Sequence, residues 1–146
     1  MRVRSAAILI QNNSLALMER RRDGRHYFSF PGGGVDAGET PEQAVVREAR
    51  EELGIEVRVI RLAVEVWFRG NQQFFFLVEQ TGGTFGTGTG EEFASTADPA
   101  RGTYDPIWMP LEQVTAQNVL PKQVAELVAK SHPEHWPATP IVIREL

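Results

Sequence analysis

Residues 33–55 read GGVDAGETPEQAVVREAREELGI, and this stretch carries the clearest structural signal of the chain. A Gly-rich loop opens it, and a helix is predicted to begin after Thr40, a favourable N-cap residue, with Pro41 at the first helical position. Gln43 completes a Thr-x-x-Gln capping box, which satisfies backbone N–H groups at the start of the helix. Gly54 is placed to end the helix in the left-handed conformation. The sequence therefore predicts one short helix with both of its ends defined.

The two faces of this helix carry different chemistry. Apolar residues spaced four apart predict the face that packs on the core: Val45, Ala49 and Leu53. Beside them lie three carboxylates, Glu48, Glu51 and Glu52, at spacings that make their side chains neighbours. Like charges at such spacings each cost about 0.2–0.5 kcal/mol, and the last turn already carries partial negative charge from the helix dipole. Arg47 lies four residues before Glu51 and is expected to pair with it. A divalent cation would reverse the unfavourable terms, so the pattern indicates a metal site rather than a solvated acidic face.

The same stretch resembles the Nudix box, G-x5-E-x7-R-E-U-x-E-E-x-G-U, in which U is an aliphatic residue. The positions that match it are Gly33, Glu39, Arg47, Glu48, Ala49, Glu51, Glu52, Gly54 and Ile55. Because most of them require one residue type, agreement by chance at a given start is on the order of 10⁻⁸. The resemblance continues on both sides, at residues 28–35 and 104–111. It implies a single Nudix domain over residues 1–146 with an α/β (α+β) fold, an α/β/α sandwich around a central mixed sheet.

The Nudix resemblance also implies a reaction class. The cofactor is expected to be Mg²⁺ or Mn²⁺, since these ions prefer carboxylate oxygens as ligands. Glu51 and Glu52 are then metal ligands, and Glu48 is a third ligand or the general base. Such ions neutralise phosphate oxygens and lower the pKa of a bound water. The implied reaction is hydrolysis of the diphosphate linkage in a nucleoside diphosphate linked to another group, X.

The remaining residues of the box receive supporting roles from the resemblance. Arg47 would orient the glutamates, so it is counted with Glu48 and Glu52 among the catalytic residues. Glu39 would stabilise the geometry between loop and helix, or contact the metal indirectly. Gly33 would let the backbone approach closely, and Gly34 beside it is expected to contact the bound nucleotide.

Three candidate site residues lie outside the box. Glu92 belongs to a Gly/Thr-rich loop at Gly82–Gly102 and is expected, in preference to Glu91, to supply a further metal ligand or the base; a merely solvated pair is the alternative. Loops of this length in compact domains are usually functional or disordered. The arginines just ahead of the box are candidates for phosphate contact, with solvated turns as the alternative: Arg20, Arg21, Arg22 and Arg25. Phe28 is placed to stack on a base, with a core position as its alternative.

The rest of the chain reads as strands and one further helix. Strands are predicted at Val3–Ile10, Leu15–Glu19, Tyr27–Phe30, Glu56–Phe68 and Gln72–Glu79, and around Trp108. Turns are predicted at Asn12-Asn13 and at Gly70-Asn71. The run Phe74–Phe76 would place rings on both faces of a sheet, which suits a sheet covered on both sides. Pro121–Ser131 reads as a second helix, whereas the proline-rich tail 133–146 has no assignment. The buried face of that helix is predicted to carry Val124, Leu127 and Val128.

Composition narrows the function classes. The chain has 146 residues, enough for one domain with a substantial core, and its formal net charge is −4. That charge argues against a nucleic-acid polymer as partner, whereas a nucleotide or other diphosphate-containing small molecule held through a metal needs no basic protein. The absence of cysteine excludes disulfides and thiol catalysis. With no apolar stretch long enough to span a bilayer, we expect a cytoplasmic protein without a membrane partner, and a homodimer is one option for its oligomeric state.

Substrate choice stays open at the level of sequence. A (deoxy)nucleoside triphosphate, giving monophosphate plus pyrophosphate, is the leading expectation, because the markers of other Nudix subgroups downstream of the box are missing. A sugar-nucleotide or dinucleotide pyrophosphatase is the alternative among enzymes. A non-catalytic regulatory module that binds a nucleotide is the alternative from another class. The intact glutamates argue against this module, because a sensor has no need of a complete metal cluster.

Overall fold

The structure, a computed structural model, describes residues 2–88 and 102–144. Its strands and helices are β1 (Val3–Ile8), β2 (Ile10–Gln11), β3 (Ser14–Arg22), β4 (Arg25–Ser29), β5 (Gly32–Gly34), α1 (Pro41–Leu53), β6 (Ile55–Phe68), β7 (Asn71–Gly83), β8 (Thr103–Pro110), β9 (Val119–Leu120), α2 (Lys122–Ser131) and β10 (Ile141–Arg144). No helix among the described residues is long and apolar enough to cross a membrane.

These strands form two sheets. The first has the order β10-β6-β7-β1-β5 and is mixed, because β1 is parallel to β7 and β10 is parallel to β6. The second has the order β2-β3-β4-β9, and β8 also pairs with β3. Strand β5, the Gly-rich segment before α1, pairs with β1 in the first sheet. The chain therefore passes from the second sheet, through β4, to the first sheet just before it enters the helix.

Two core clusters cover the sheets from opposite sides. Ala6 and Phe75 belong to a cluster that includes the buried face of α2, whereas their neighbours Ala7 and Phe76 belong to a cluster that includes α1. Neighbouring residues of a strand point to opposite faces of a sheet. The sheets thus lie between the two helices, which confirms the predicted α/β/α sandwich and the prediction that the Phe74–Phe76 run is covered on both faces.

Helix α1 has the ends that its sequence predicts. The backbone N–H of Gln43 donates to Oγ1 of Thr40 at 3.1 Å, and the N–H of Thr40 donates to Oε1 of Gln43 at 2.9 Å. Gly54 follows the helix with φ of 77°, a left-handed conformation that favours glycine. The apolar face is fully buried at the expected positions: Val45, Ala49 and Leu53. Capping fixes where the helix begins, and packing of its apolar face fixes the direction in which its carboxylates point.

Several boundaries differ from the sequence prediction. The turn between β6 and β7 is Arg69-Gly70, both with positive φ, rather than Gly70-Asn71. Strand β7 continues through Gly83, so the loop predicted to begin at Gly82 starts two residues later. Strand β3 continues to Arg22 instead of ending at Glu19, because the turn at Asp23-Gly24 lets it pair with β4. In the tail, Ile141–Arg144 adds an edge strand to the first sheet.

Candidate functional site

The Gly-rich strand β5 brings α1 and the first sheet into close contact. Gly33 pairs with Ser5 of β1, and a Cβ built on Gly33 would lie 2.6 Å from Cδ of Glu48. A side chain at Gly33 would therefore displace this carboxylate. The predicted close approach at Gly33 is present, and the group that approaches is Glu48 itself. At Gly34 a Cβ would have no neighbour within 4 Å, so no steric constraint requires glycine there.

Arg47 connects the residues of the box. Its Nη1 donates to Oε1 of Glu48 at 3.0 Å and to Oε2 of Glu51 at 3.1 Å, as the spacing of Arg47 and Glu51 predicts. Its Nη2 donates to the backbone oxygen of Gly34 at 2.9 Å. Because both carboxylates contact the same nitrogen, those two oxygens lie no more than about 6.1 Å apart. One guanidinium thus holds two carboxylates of the helix beside the Gly-rich strand.

Glu39 anchors the loop to the same guanidinium. It accepts from Nε of Arg47 at 2.9 Å and from Nη2 at 3.0 Å, and its Oε1 also accepts the N–H of Asp36 at 3.0 Å. These bonds favour the charged carboxylate, so Arg47 and then the Asp36 N–H hold the pKa of Glu39 below its usual value. The same ion pair raises the pKa of Arg47. Glu39 therefore stabilises the geometry between loop and helix, the first of its two predicted roles.

The third carboxylate, Glu52, is the most buried of the cluster, with 7% of its surface exposed. Its Oε2 accepts the backbone N–H of Gly32 at 3.2 Å, whereas Glu51, at the outer side, keeps 39% of its side chain exposed. We call Glu48, Glu51 and Glu52 the carboxylate cluster. It faces the Gly32–Gly34 strand from one side, and its members range from buried to half-exposed.

The chemistry of this cluster fits a hard divalent cation. Three carboxylates project from one helical turn toward a strand without side chains, and carboxylate oxygens are preferred ligands of Mg²⁺ and Mn²⁺. Within the described residues, no three acidic or histidine side chains converge tightly enough to form a ready-made ion site. Arg47 instead compensates their charge. Residues that would hold the metal are thus present and oriented, and its binding requires Glu48 and Glu51 to share their oxygens between the cation and Arg47.

Sequence reasoning missed one cation near the cluster, Arg4 of β1. In the sheet register it lies opposite Gly34 on one side and opposite Gln73 on the other. Burial lowers the pKa of the Arg4 guanidinium, while Glu52 and Glu48 act in the opposite direction, so both carboxylates lie within its electrostatic reach. An arginine inside a strand predicted to be buried was the available signal, since a buried charge needs a partner.

Two of the site residues predicted outside the box, Arg20 and Phe28, are largely buried. Arg20 is 9% exposed; its Nε donates to the backbone oxygen of Thr103 at 2.9 Å, and its guanidinium lies 3.5 Å from the ring centroid of Tyr104. Phe28 is 8% exposed and belongs to the cluster under α2, which is the core position weighed as its alternative. Glu92 and Glu91 lie outside the described residues.

A cavity of about 440 Å³ opens next to Arg4. Three apolar and three polar side chains line it: Phe68, Leu120 and Pro121, and Gln73, Lys122 and Gln123. Gln73, Arg4 and Gly34 lie side by side on three neighbouring strands. Since adjacent strands are about 4.8 Å apart, this cavity lies roughly 10 Å from the Gly-rich strand. We call it the β7–α2 cavity.

Comparisons with known proteins point to one family. A family model described as NUDIX domain matches residues 1–131. The RNA pyrophosphohydrolase of Psychromonas ingrahamii is 41% identical over 58 residues, which cover 40% of this chain and 32% of that protein. The RNA pyrophosphohydrolase of Pseudoalteromonas translucida is 49% identical over 51 residues, covering 35% of this chain and 30% of that protein. The match thus spans about a third of the length of these relatives.

Solved structures share the whole fold at low sequence identity. An ADP-ribose pyrophosphatase from Streptococcus suis has a TM-score of 0.67 at 21% identity, covering 99% of this chain and 98% of that one. A NUDIX hydrolase from Nitrosomonas europaea has a TM-score of 0.73 at 15% identity, covering 99% and 79%. A MutT structure described for Aliivibrio salmonicida and Vibrio cholerae has a TM-score of 0.65 at 24% identity, covering 89% and 94%. These similarities show a common fold.

Proposed function

The chain belongs to the NUDIX domain family, and on that premise we propose that it is a metal-dependent hydrolase that cleaves the diphosphate linkage of a nucleoside diphosphate linked to X. The observation that carries this proposal is the carboxylate cluster held by Arg47 against the Gly-rich strand. Three carboxylates on one side of a short helix are electrostatically unfavourable in isolation. Arg47 nevertheless fixes the geometry of two of them, Glu48 and Glu51, which suits a site built to bind a cation.

Each residue of the cluster has a separate role in the proposal. Glu48, Glu51 and Glu52 hold Mg²⁺ or Mn²⁺, which when bound neutralises phosphate oxygens and polarises the linkage. Glu48 is a metal ligand or the general base, and Glu92 is the second candidate for the base. Arg47 positions Glu48 and Glu51 through its Nη1.

Arg4 supports the binding of a phosphate group. It lies opposite Gly34 in the sheet, within electrostatic reach of the cluster, and a guanidinium binds phosphate through paired N–H donors. We keep Arg20 as a phosphate contact and Phe28 and Gly34 as nucleotide contacts in the proposal. Their positions make Arg4 the stronger candidate, because Arg20 is tied to Thr103 and Tyr104, and Phe28 packs in the core.

A (deoxy)nucleoside triphosphate is the leading substrate. The β7–α2 cavity has the size of an ordinary small-molecule pocket, with apolar and polar side chains in its lining. It lies roughly two strand spacings from the Gly-rich strand, so a nucleoside in it would leave its phosphates near Arg4 and the cluster. Monophosphate and pyrophosphate are the expected products. Sugar nucleotides and dinucleotides, whose second group occupies the place of the terminal phosphate, are the alternatives.

The 5′ end of an RNA is a second candidate substrate. Relatives that match part of this chain are named RNA pyrophosphohydrolase, although the match covers only about a third of their length. A specific observation favours the candidate: the hairpin of β3 and β4 carries Arg22 and Arg25 directly opposite each other beside its turn. Local positive charge of this kind attracts nucleic-acid phosphates even when the whole chain is acidic.

A panel assay tests the proposal. Nucleoside triphosphates, sugar nucleotides, dinucleotides and a 5′-triphosphorylated oligoribonucleotide are incubated with Mg²⁺. Inorganic phosphate is then measured after pyrophosphatase for the triphosphates, or after alkaline phosphatase for the X-linked diphosphates. We expect Glu52→Gln to lower turnover on the order of a hundredfold or more, and EDTA to abolish it.

Glu56→Gln is the matched control for that assay. Glu56 follows α1 and is paired with the exposed Arg50, so its loss should leave turnover unchanged. Turnover that survives both EDTA and Glu52→Gln would refute the metal mechanism. Nucleotide binding without turnover of any substrate would instead identify the regulatory module. A cytoplasmic location and a homodimer stay predictions from the sequence, and size-exclusion chromatography checks the second.

A further inference from the structure

The tip of the β3–β4 hairpin is a compact cationic surface outside the carboxylate cluster. Residues 21–26 and Gly102 line a cavity of about 380 Å³ there, and four of these side chains belong to arginine or histidine. The turn is formed by Asp23-Gly24, both with positive φ. We call residues 21–26 the hairpin tip.

The strand register places two arginines directly opposite each other. In the antiparallel pair of β3 and β4, Arg22 lies opposite Arg25, and Arg21 lies opposite His26. Like charges in such positions destabilise a sheet, whereas opposite charges stabilise it. Local stability of the hairpin therefore does not explain this pattern, and a bound anion would turn repulsion into attraction.

The two faces of the hairpin tip differ in their carboxylate contacts. On one face Glu19 lies between Arg21 and His26: its Oε2 is 3.3 Å from Nη2 of Arg21 and 2.7 Å from Nε2 of His26. On the other face, Asp23 at 3.6 Å is the one ion-pair partner of Arg22 in the part of the chain that the structure describes, and the side chain of Asp23 is 78% exposed. Among the described residues, no carboxylate forms an ion pair with Arg25. The Arg22–Arg25 face thus lacks the internal compensation that Glu19 gives to the opposite face.

The Arg22–Arg25 face continues from the core cluster that contains the buried face of α1. Side chains two residues apart on a strand share a face, so Arg22 lies on the same side as Arg20 and Met18. Met18 belongs to the core cluster of α1. Arg22 is four residues beyond Met18, or about 13 Å along the strand. An anion bound by Arg22 and Arg25 would therefore lie on the side of β3 that faces this core cluster, about 13 Å beyond Met18.

Aromatic contacts hold this face in place. The Arg20 guanidinium lies between two tyrosine rings, 3.5 Å from the centroid of Tyr104 and 5.7 Å from that of Tyr27. Tyr27 also lies 4.9 Å from the guanidinium carbon of Arg25. These contacts connect β3, β4 and β8 at the base of the hairpin, and Tyr27 orients the side chain of Arg25. Orientation of this kind reduces the entropy lost when a ligand binds.

We propose that Arg22 and Arg25 form an anion subsite for a phosphate that is not cleaved, within a single-stranded oligonucleotide whose 5′ end lies at the carboxylate cluster. The inference rests on the proposed function, because that function places the scissile diphosphate at the cluster. It also reverses the expectation drawn from net charge: the chain is acidic as a whole, but its charge is cationic where a polynucleotide would leave the site. Guanidinium groups bind phosphodiesters through paired N–H donors.

Binding of a non-hydrolysable probe tests the subsite separately from catalysis. A short 3′-labelled oligoribonucleotide with a 5′-hydroxyl has no diphosphate to cleave, and its affinity is measured by fluorescence anisotropy with Mg²⁺ present. We expect the double variant Arg22→Gln/Arg25→Gln to raise Kd about tenfold. The slope of log K against log salt should become shallower by about 0.7, because the subsite neutralises one single-strand phosphate and each such phosphate accounts for about that much.

The matched control is Arg21→Gln, which removes the same charge from the opposite face of the same hairpin. Its Kd should stay within about twofold of the wild type, since Glu19 already compensates Arg21. Circular dichroism melting checks that all variants fold. The proposal is overturned if the wild type does not bind the probe, if the double variant binds as tightly as the wild type, or if Arg21→Gln weakens binding as much.

Hydrolysis assays then separate this inference from the proposed function. With a 5′-triphosphorylated oligoribonucleotide as substrate, the double variant should have a KM about tenfold higher at an unchanged kcat. Its turnover of a nucleoside triphosphate should equal that of the wild type. An equal loss for both substrates would contradict the subsite. If the wild type hydrolyses no substrate of the panel, the proposed function fails, and the anisotropy result still decides whether Arg22 and Arg25 bind the oligonucleotide.

Discussion

Arg47 and Glu39 form a two-point ion pair: Nε of Arg47 donates to Oε2 of Glu39 at 2.9 Å, and Nη2 donates to Oε1 at 3.0 Å. The pair joins α1 to the loop that precedes it. The third nitrogen of the guanidinium remains directed at Glu48 and Glu51. One planar group therefore fixes both the path of the loop and the spacing of two carboxylates, which an ammonium group cannot do.

The variant Arg47→Lys should separate the effect of the planar guanidinium geometry from the effect of the positive charge. Lysine keeps the positive charge but loses the planar set of donors, so we expect the free energy of unfolding to fall by about 2 kcal/mol. Activity should also fall, because the carboxylates lose their alignment. Urea unfolding measures the first effect. The control is Arg50→Lys on the same helix, whose pair with Glu56 is exposed to solvent and therefore weak. Equal losses in the two variants would contradict a central role for Arg47.

The neighbouring glycines offer a matched pair. In Gly33→Ala the new Cβ would lie 2.6 Å from Cδ of Glu48, so the carboxylate must move. A displacement on this scale at a reacting site costs on the order of a hundredfold in rate. In Gly34→Ala the methyl group has no neighbour within 4 Å, and the bond from Arg47 goes to the backbone oxygen, so activity should stay within about twofold. Steady-state kinetics on one substrate compares them, and a reversed order would refute the role assigned to Gly33.

Local chemistry made α1 predictable. Its capping box at Thr40 and Gln43, the left-handed Gly54 and the alignment of Arg47 with Glu51 all join residues close in sequence. Their geometry follows from helix periodicity alone. The carboxylate cluster was likewise predictable, because it depends on the spacing of glutamates along one helix.

Contacts between segments that are far apart in sequence could not be predicted from the sequence. Arg4 reaches the cluster because β1 lies between β5 and β7, and this strand order is a property of the assembled sheet. Arg20 was expected to face phosphate, yet pairing with β8 places it against Tyr104. The hairpin itself had a local signal, since Asp-Gly favours the turn that joins two strands. That signal at Asp23-Gly24 would have placed Arg22 opposite Arg25.

Binding of the divalent cation should raise thermal stability. A ligand at a hundred times its Kd stabilises the folded state by about 2.7 kcal/mol, which for a domain of this size corresponds to a Tm increase of roughly 5 to 10 °C. We expect this shift with Mg²⁺ or Mn²⁺ in the wild type and its loss in Glu52→Gln. Differential scanning calorimetry, with EDTA as the baseline, measures it. Glu56→Gln should retain the whole shift; a shift that persists in Glu52→Gln would place the cation elsewhere.

Stability below neutral pH should depend on Glu39. Arg47 holds the pKa of Glu39 below its ordinary value of 4.5, so the folded state favours the carboxylate. The stabilisation is complete above that ordinary value and is lost as the pH falls through the lower pKa of the folded state. Glu39→Gln resembles the protonated acid. Its deficit in unfolding free energy should therefore be about 2 kcal/mol at pH 7 and should shrink as the pH falls through the acid range.

Urea unfolding of the wild type and Glu39→Gln across this pH range measures the deficit. Glu56→Gln provides the control, because Glu56 also has its pKa lowered by an arginine, Arg50, but is exposed to solvent. Screening by water makes such an exposed pair weak, so the Glu56→Gln curve should follow the wild type at every pH. A Glu39→Gln deficit that stays constant with pH would mean that the carboxylate acts through its shape and not through its charge. In that case the ion pair with Arg47 would not be what joins the loop to the helix.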